Sequence, residues 1–211
     1  MSDGTGDIAK MAGLGILGGT FDPIHFGHLF LAEKSRETFG LSKVIFVPAS
    51  LPPHKIGEVA LPVVERFKMV ELAIKNHPQF QISDVELNRT GPSYTIDTIR
   101  EFKSENPGED LFLILGFDSL LNLNTWKEYR QILEETQLIA AMRPGSPQFV
   151  TLRDWPDFLK PYRERIHILN APLIDISATW LRSELKKGHS IRYLVPDPIY
   201  EYITRNQLYK F

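Results

Sequence analysis

One stretch near the start of the chain constrains its fold more than any other: an apolar run ends in two glycines and leads, after a turn, into a helical pattern with two histidines. The run covers residues 14–17, followed by Gly18 and Gly19, and the histidines are His25 and His28. This order predicts a buried strand, a turn and a helix N-terminus. Glycines place no side chain between the backbone and a ligand, and free N–H groups at a helix start favour an anion. Histidines three residues apart can face one ligand. The stretch therefore predicts a phosphate-binding site.

Strand-like and helix-like segments alternate along the rest of the chain. The predicted strands and short extended pieces are Leu14–Leu17, Val44–Val47, Phe80–Ile82, Val85–Leu87, Leu111–Leu115, Gln137–Met142 and Arg165–Leu169. The predicted helices run from Gly27 to Phe39, Pro62 to Lys75, an N-cap at Ser93 to Lys103, Trp126 to Leu133, Ser177 to Gly188, and onward from Pro198. Alternation of this kind predicts an α/β fold: a Rossmann-like, doubly wound parallel sheet with helices on both faces and a small C-terminal helical part.

The predicted sheet brings several distant loops to one edge. Ligands of such folds bind beyond the carboxyl ends of the strands, where the strand order reverses. The loops after the first strand, after Val47 and after Leu115 all leave at that edge. We therefore expect the two histidines, the segment Pro48–Lys55 and Asp118 to lie close together.

Composition sets the remaining limits. The chain has 211 residues, 43% hydrophobic and 24% charged, with a formal net charge of −2 and no cysteine. These values predict one globular domain over residues 14–211. Residues 1–13 are expected to form a flexible leader, because the start of the chain holds acidic, glycine and serine residues. The same values exclude disulfides and thiolate zinc sites, and they argue against a broad nucleic-acid surface. No apolar stretch is long enough to cross a membrane and no secretory signal is present, so we expect a cytoplasmic protein. Homo-oligomerisation stays open.

The string GGTFDPIHFGH over residues 18–28 resembles the T/H-x-G-H signature of the nucleotidylyltransferase superfamily, in particular its nicotinate mononucleotide adenylyltransferase branch. The resemblance implies transfer of AMP from ATP to nicotinate mononucleotide, which forms deamido-NAD and pyrophosphate in NAD biosynthesis. In that reaction a phosphate that is already an anion attacks phosphorus, so positioning and charge stabilisation are needed rather than a general base. Mg²⁺ is expected to be held mainly by the ATP phosphates, with no metal-binding residue assigned.

A second segment, ISATWLR over residues 176–182, is similar to the family segment I-S-S-T-x-I-R, with Ala178 and Leu181 as departures. Ser177, Thr179 and Arg182 cluster at the start of a helix, which suits phosphate groups. The resemblance implies His25, His28 and Arg182 as the catalytic residues. The implied ATP-binding residues are Gly18, Gly19, Thr20, Phe21, His25, His28, Ser177, Thr179 and Arg182.

Three further segments resemble the part of the family that binds the acceptor: GPSYTIDT at residues 91–98, GFDS at 116–119 and NTWK at 124–127. The resemblance implies that Trp126 stacks on the pyridine ring, that Thr95 with nearby N–H groups receives the carboxylate, and that Asp118 contacts the sugar or phosphate. The implied acceptor-binding residues are Lys55, Tyr94, Thr95, Asp118, Trp126 and Arg143. Solvated cations are the alternative for Lys55 and Arg143, and packing is the alternative for Trp126.

Other functions remain open from the sequence. The first alternative is another transferase of the superfamily, whose acceptor is phosphopantetheine or an alcohol phosphate. The second is a regulator that binds a nucleotide in the same pocket without turnover. The third is a fragment that resembles an aminoacyl-tRNA synthetase, since those enzymes also use an H-x-G-H turn. A zinc site at His25 and His28 lacks the third ligand that such a site needs.

Overall fold

The computed structural model describes residues 12–52, 59–142, 154–172, 174 and 176–209. Its centre is a six-stranded sheet in the order β3-β2-β1-β4-β5-β6, in which all neighbouring strands are parallel. The strands are β1 (Leu14–Gly19), β2 (Lys43–Pro48), β3 (Phe80–Ile82), β4 (Leu111–Gly116), β5 (Gln137–Ala141) and β6 (Ile166–Leu169). The order reverses between β1 and β4, which is the ligand-binding position of doubly wound sheets.

Seven α-helices are found in the described part of the chain. They are α1 (Phe26–Phe39), α2 (Val63–Ile74), α3 (Thr95–Glu105), α4 (Phe117–Leu121), α5 (Tyr129–Glu135), α6 (Ala178–Lys186) and α7 (Asp197–Arg205). Gly40 ends α1 in the left-handed conformation that glycine favours, as its position after Phe39 predicts.

Successive side chains along the central strands point to opposite faces of the sheet and pack into two separate hydrophobic cores. Leu111, Leu113 and Leu115 of β4 pack in the core that contains buried residues of α3, α4 and α5. Phe112 and Ile114 pack in the core that contains buried residues of α1, α2, α6 and α7. A strand that is buried on both faces has an apolar residue at nearly every position, which explains why β4 is the most apolar of the strands. Helices therefore cover both faces of the parallel sheet, and the predicted fold class is confirmed.

Two predicted elements are wrong in detail, and one short helix was not predicted. Val85–Leu87 is a turn rather than a strand, closed by the bond from Leu87 N–H to the Asp84 carbonyl. The helix predicted over Trp126–Leu133 begins only at Tyr129, because the backbone of Trp126 is extended and that of Glu128 is left-handed, with φ 51°. The sequence analysis also missed α4, which starts directly where β4 ends. Short helices of this kind carry too few residues for a 3.6-residue period to appear.

Ser93 is not the N-cap of α3, since Tyr94 occupies that position. The Ser93 hydroxyl instead accepts hydrogen bonds from the N–H groups of Ser50 and Leu51, at 3.1 and 3.2 Å. A serine hydroxyl can accept from N–H groups outside its own helix, and the N–H groups that Ser93 binds belong to the loop after β2. Ser93 thus ties that loop to the segment before α3.

Residues 1–11 lie outside the described residues, so the leader over residues 1–13 and the domain boundary stay predictions. No helix among the described residues is long and apolar enough to cross a membrane.

Candidate functional site

A cavity of about 860 Å³ opens at the carboxyl ends of β1 and β4. Loops after β1, β2 and β4, the start of α3 and the start of α6 all contribute to its wall. It is lined by Gly18, Gly19, Thr20, Phe21, His25, His28, Tyr94, Thr95, Asp118, Trp126, Ser177, Thr179 and Arg182. Every predicted site residue that lies in the described part of the structure therefore lines this one cavity. Lys55 and Arg143 lie outside the described residues.

The two glycines at the end of β1 differ in their surroundings. A Cβ on Gly18 would meet no atom within 4 Å, so the backbone here borders open space in the cavity. A Cβ on Gly19 would lie 2.9 Å from two ring atoms of Phe21. Gly18 therefore leaves room for a ligand, whereas Gly19 leaves room for the neighbouring aromatic ring.

The two histidines form a stacked pair at the start of α1. Their ring centroids are 3.7 Å apart with 23° between the planes, and His25 is the N-cap residue. The His25 backbone N–H points to Nδ1 of His28 at 3.3 Å. Because that nitrogen accepts a hydrogen, the neutral His28 ring carries its own hydrogen on Nε2. His28 is thereby arranged as an N–H donor.

Arg182 reaches this loop from α6, 160 positions further along the chain. Its Nη1 donates to the backbone carbonyl of Asp22 at 2.8 Å, and its Nη2 donates to Thr179 Oγ1 at 3.4 Å. A guanidinium has five N–H donors, so contacts within the described residues leave donors for an anion. Ser177 caps α6, with its hydroxyl accepting from Trp180 N–H at 3.5 Å.

Arg66 is a buried cation below the cavity that the sequence analysis missed. Its side chain donates to the carbonyls of Leu61, Thr20 and Ala49, at 3.1, 2.6 and 2.8 Å, and to Ser50 at 3.3 Å. Burial lowers the pKa of Arg66 from its usual value, while the nearby Asp22 charge opposes that shift. Arg66 holds the loops after β1 and β2 in place. Its position four residues before Val70, on the buried stripe of α2, was the available signal.

Asp22 is a second buried charge in this region. Oδ1 accepts from the Tyr209 hydroxyl and Oδ2 accepts from Ala60 N–H, both at 2.7 Å. Oδ2 also lies 3.9 Å from Arg182 Nη1. Asp22 is therefore surrounded by donors and cations of the protein itself.

The acceptor side of the cavity combines aromatic and charged groups. Trp126 ends the 3₁₀ turn after α4 and packs partly against the core, and Thr95 is the first residue of α3. Lys127 Nζ lies 4.6 Å from the centre of the Tyr94 ring and 3.1 Å from Asp97 Oδ2. A flat ring and helix N–H groups suit a flat heterocycle that bears a carboxylate.

Glu86 was also missed from the sequence. It is buried at the cavity wall, where Thr98 donates to its Oε1 at 2.8 Å. Arg89 Nη1 in turn donates to Thr98 Oγ1 at 3.2 Å. These bonds join the segment before α3 to the helix that carries Thr95.

In the part of the chain that the structure describes, no group of three or more His, Asp or Glu side chains could hold a metal ion. The only acidic side chain in the first loop, Asp22, has both of its oxygens bonded to protein groups. The donor set therefore does not fit a metal held mainly by protein ligands.

Fold and cavity together define a nucleotide-binding transferase. The family model described as cytidylyltransferase-like matches residues 16–184, and the chain belongs to this family. Relatives named “Probable nicotinate-nucleotide adenylyltransferase” come from Desulfitobacterium hafniense and Geobacter metallireducens. The first is 40% identical over 93% of this chain and 95% of its own length, and the second is 41% identical over 92% and 97%. Within the family, the chain belongs with the nicotinate-nucleotide adenylyltransferases, which confirms the resemblance carried by residues 18–28.

Solved structures agree with the fold. The Plasmodium falciparum nicotinic acid mononucleotide adenylyltransferase complexed with NaAD superposes with a TM-score of 0.76 at 20% identity, covering 93% of this chain and 96% of that chain. The same protein complexed with APC gives 0.74.

Proposed function

We propose that this protein transfers the adenylyl group of ATP to nicotinate mononucleotide, forming nicotinate adenine dinucleotide and pyrophosphate. One observation carries the proposal: a single cavity holds the GGTFDPIHFGH loop, Arg182 at the start of α6, and the Trp126 and Thr95 side. The names of the relatives agree with it.

The phosphate side of the cavity supplies the charge stabilisation. ATP lies with its phosphates along Gly18, Gly19, Thr20 and Phe21, and His28 donates Nε2–H to oxygens of the reacting phosphate. His25 stacks on His28 and fixes its ring plane. Donors oriented in advance stabilise charge that develops in the transition state without having to reorganise.

Arg182 closes the same site from the other end of the chain. Its free N–H donors hold the β- and γ-phosphates, together with Ser177, Thr179 and the N-terminus of α6. The leaving pyrophosphate is thus bound by a guanidinium and helix N–H groups.

The acceptor side places the attacking phosphate. Trp126 stacks on the pyridine ring, Thr95 and the N-terminus of α3 receive the carboxylate, and Tyr94 and Asp118 border the nucleotide. Lys55 and Arg143 are proposed as further phosphate contacts. The acceptor phosphate is an anion at neutral pH, so it attacks the α-phosphorus in line without a general base.

A divalent cation accompanies the nucleotide. We assign it as Mg²⁺ that arrives on the ATP phosphates, since phosphates and water hold most Mg²⁺ in nucleotide sites. The cation offsets phosphate charge, while the protein positions the two polyanions. A cytoplasmic location and the absence of a nucleic-acid partner remain predictions, and the oligomeric state stays open.

The test measures pyrophosphate release with ATP and one acceptor at a time: nicotinate mononucleotide, nicotinamide mononucleotide or phosphopantetheine. Turnover is expected with the first, and mass spectrometry should detect the dinucleotide. No turnover with either pyridine nucleotide would overturn the proposal.

A second measurement separates an enzyme from a nucleotide-binding regulator. His28→Ala should reduce kcat by about 10²- to 10³-fold, the usual effect of removing one transition-state donor, while ATP binding weakens far less. Small and equal losses of turnover and binding would favour a regulator.

A further inference from the structure

A buried hydrogen bond joins the C-terminal segment, which comprises α7 and the residues up to Tyr209, to the phosphate side of the cavity. Tyr209 is 1% exposed and donates its hydroxyl hydrogen to Oδ1 of Asp22 over 2.7 Å, across 187 positions of sequence. The other carboxylate oxygen is held by Ala60 N–H at 2.7 Å, and Asp22 is also 1% exposed. A buried carboxylate that is bonded at both oxygens has one orientation.

Asp22 also contacts Arg182, through both its main chain and its side chain. Nη1 of Arg182 donates to the Asp22 backbone carbonyl at 2.8 Å and lies 3.9 Å from Oδ2 of the same residue. The guanidinium is thus fixed to Asp22 through its main chain and attracted by its side chain. Asp22 is therefore a direct partner of the cation that faces the cavity.

The backbone on both sides of the bond is held in an uncommon conformation. Phe21, next to Asp22, has φ 51° and Tyr209 has φ 63°, values that bulky residues rarely adopt. Such conformations persist where surrounding contacts fix them, and they cluster at functional sites. Burial, followed by the charge of Asp22, raises the pKa of Tyr209 well above its usual value. The hydroxyl therefore remains a donor over the working pH range.

We propose that Tyr209, acting through Asp22, is a positioning residue for adenylyl transfer: it fixes the Arg182 guanidinium against the ATP phosphates. The inference rests on the phosphate-binding role proposed above for Arg182. Tyr209 itself does not line the cavity, so its effect reaches the substrate only through the two residues that do.

The test removes one oxygen atom. Tyr209→Phe keeps the ring in the core and deletes the bond to Asp22. The matched control is Tyr202→Phe, because the Tyr202 hydroxyl donates to Glu65 Oε2 at 2.8 Å. That bond also ties the C-terminal segment to a carboxylate, yet neither residue lines the cavity. Thermal melts first establish that both variants are folded at the assay temperature.

We expect Tyr209→Phe to lower kcat about 10-fold or more, in line with the cost of misplacing a positioned group, and to weaken the Kd for ATP, measured by calorimetry without acceptor. The KM for nicotinate mononucleotide should stay unchanged. Tyr202→Phe should leave all three constants unchanged. Equal effects of the two substitutions, or none from Tyr209→Phe, would overturn the positioning role.

A double-mutant cycle with Arg182→Ala separates positioning from general destabilisation. In the Arg182→Ala background, removing the Tyr209 hydroxyl should produce no further loss of ATP affinity or kcat, because the group that it positions is gone. The same fold loss in both backgrounds would overturn the proposal. ATP affinity is measured alone, so this readout is independent of the acceptor. If the wild type failed with nicotinate mononucleotide, the proposed function would fall while the positioning role was still tested.

Discussion

The ring of Phe21 meets the ring of His28 edge to face, with centroids 5.1 Å apart and 80° between the planes. Phe21 is 2% exposed and also packs against Phe46 of β2. The orientation of a histidine that faces the cavity therefore depends on the packing of its aromatic neighbour. Gly19 is what gives that neighbour its place, since any side chain there would overlap the Phe21 ring.

Gly19→Ala should destabilise the protein by about 1–3 kcal/mol, the usual cost of overpacking, and should lower kcat because Phe21 must shift against His28. The matched substitution is Gly18→Ala, whose Cβ meets nothing within 4 Å. It should leave the free energy of unfolding unchanged and raise the KM for ATP about 5- to 10-fold through loss of roughly 1 kcal/mol of phosphate contact. Urea unfolding and steady-state kinetics measure the two effects. Equal stability losses in both variants would contradict the assigned difference.

Much of the fold could be predicted because its strands are buried on both faces. Runs such as Leu111–Leu115 are apolar throughout and are separated by helix signals, so their alternation indicates a parallel doubly wound sheet. The apolar pattern does not show the short helix that follows β4. The helix from Phe117 to Leu121 follows its strand without a turn and spans too few residues to show a helical period.

Trp126→Ala should raise the KM for nicotinate mononucleotide by about 10-fold or more while leaving the KM for ATP unchanged. The reason is loss of the proposed stacking partner, since a base–aromatic stack contributes about 1–3 kcal/mol. Trp180→Ala is the control, because Trp180 is 49% exposed on α6 and does not line the cavity. Steady-state kinetics with each substrate varied in turn measure both constants. A raised KM for ATP with an unchanged acceptor KM would contradict the placement of the pyridine ring.

Arg66→Lys should lower the free energy of unfolding by about 3 kcal/mol or more. A single ammonium cannot span the carbonyls of Thr20, Leu61 and Ala49, so buried acceptors lose their partners. Lys68→Ala on the same helix is the control, because it breaks an ion pair with Glu71 in which both side chains are half exposed. The expected loss in the free energy of unfolding is below about 1 kcal/mol. Urea unfolding compares the two. A loss in Arg66→Lys no larger than the control would contradict the role of Arg66 in holding the loops.

Two of the groups that the sequence analysis missed, Arg66 and Asp22, are polar side chains with partners far away in sequence. Arg66 occupies a core position of α2 but bonds to carbonyls after two different strands. Asp22 stands inside the recognised string, yet its partner Tyr209 is 187 positions away. Local spacing shows which residues share a helix face, but it does not show which buried charge meets which donor. Converging strand ends account for the meeting of His25, His28 and Asp118 at the cavity. The other predicted residues of its wall came from the family resemblance. Neither source shows the partners that hold Arg66 and Asp22 in place.

His167 makes the stability of the protein depend on pH. It is half-buried on β6, with Phe39 and Phe112 nearby and Nε2 3.0 Å from Gln137 Oε1, and burial lowers its pKa below the ordinary value of about 6.5. As the pH falls, the unfolded chain therefore takes up this proton before the folded protein does, so stability is lost below about pH 6.5. His167→Gln stays neutral, so its melting temperature should fall less between pH 7.5 and pH 5.0 than that of the wild type. Thermal melts across this range test it, and parallel curves for the two proteins would contradict a histidine kept neutral by burial.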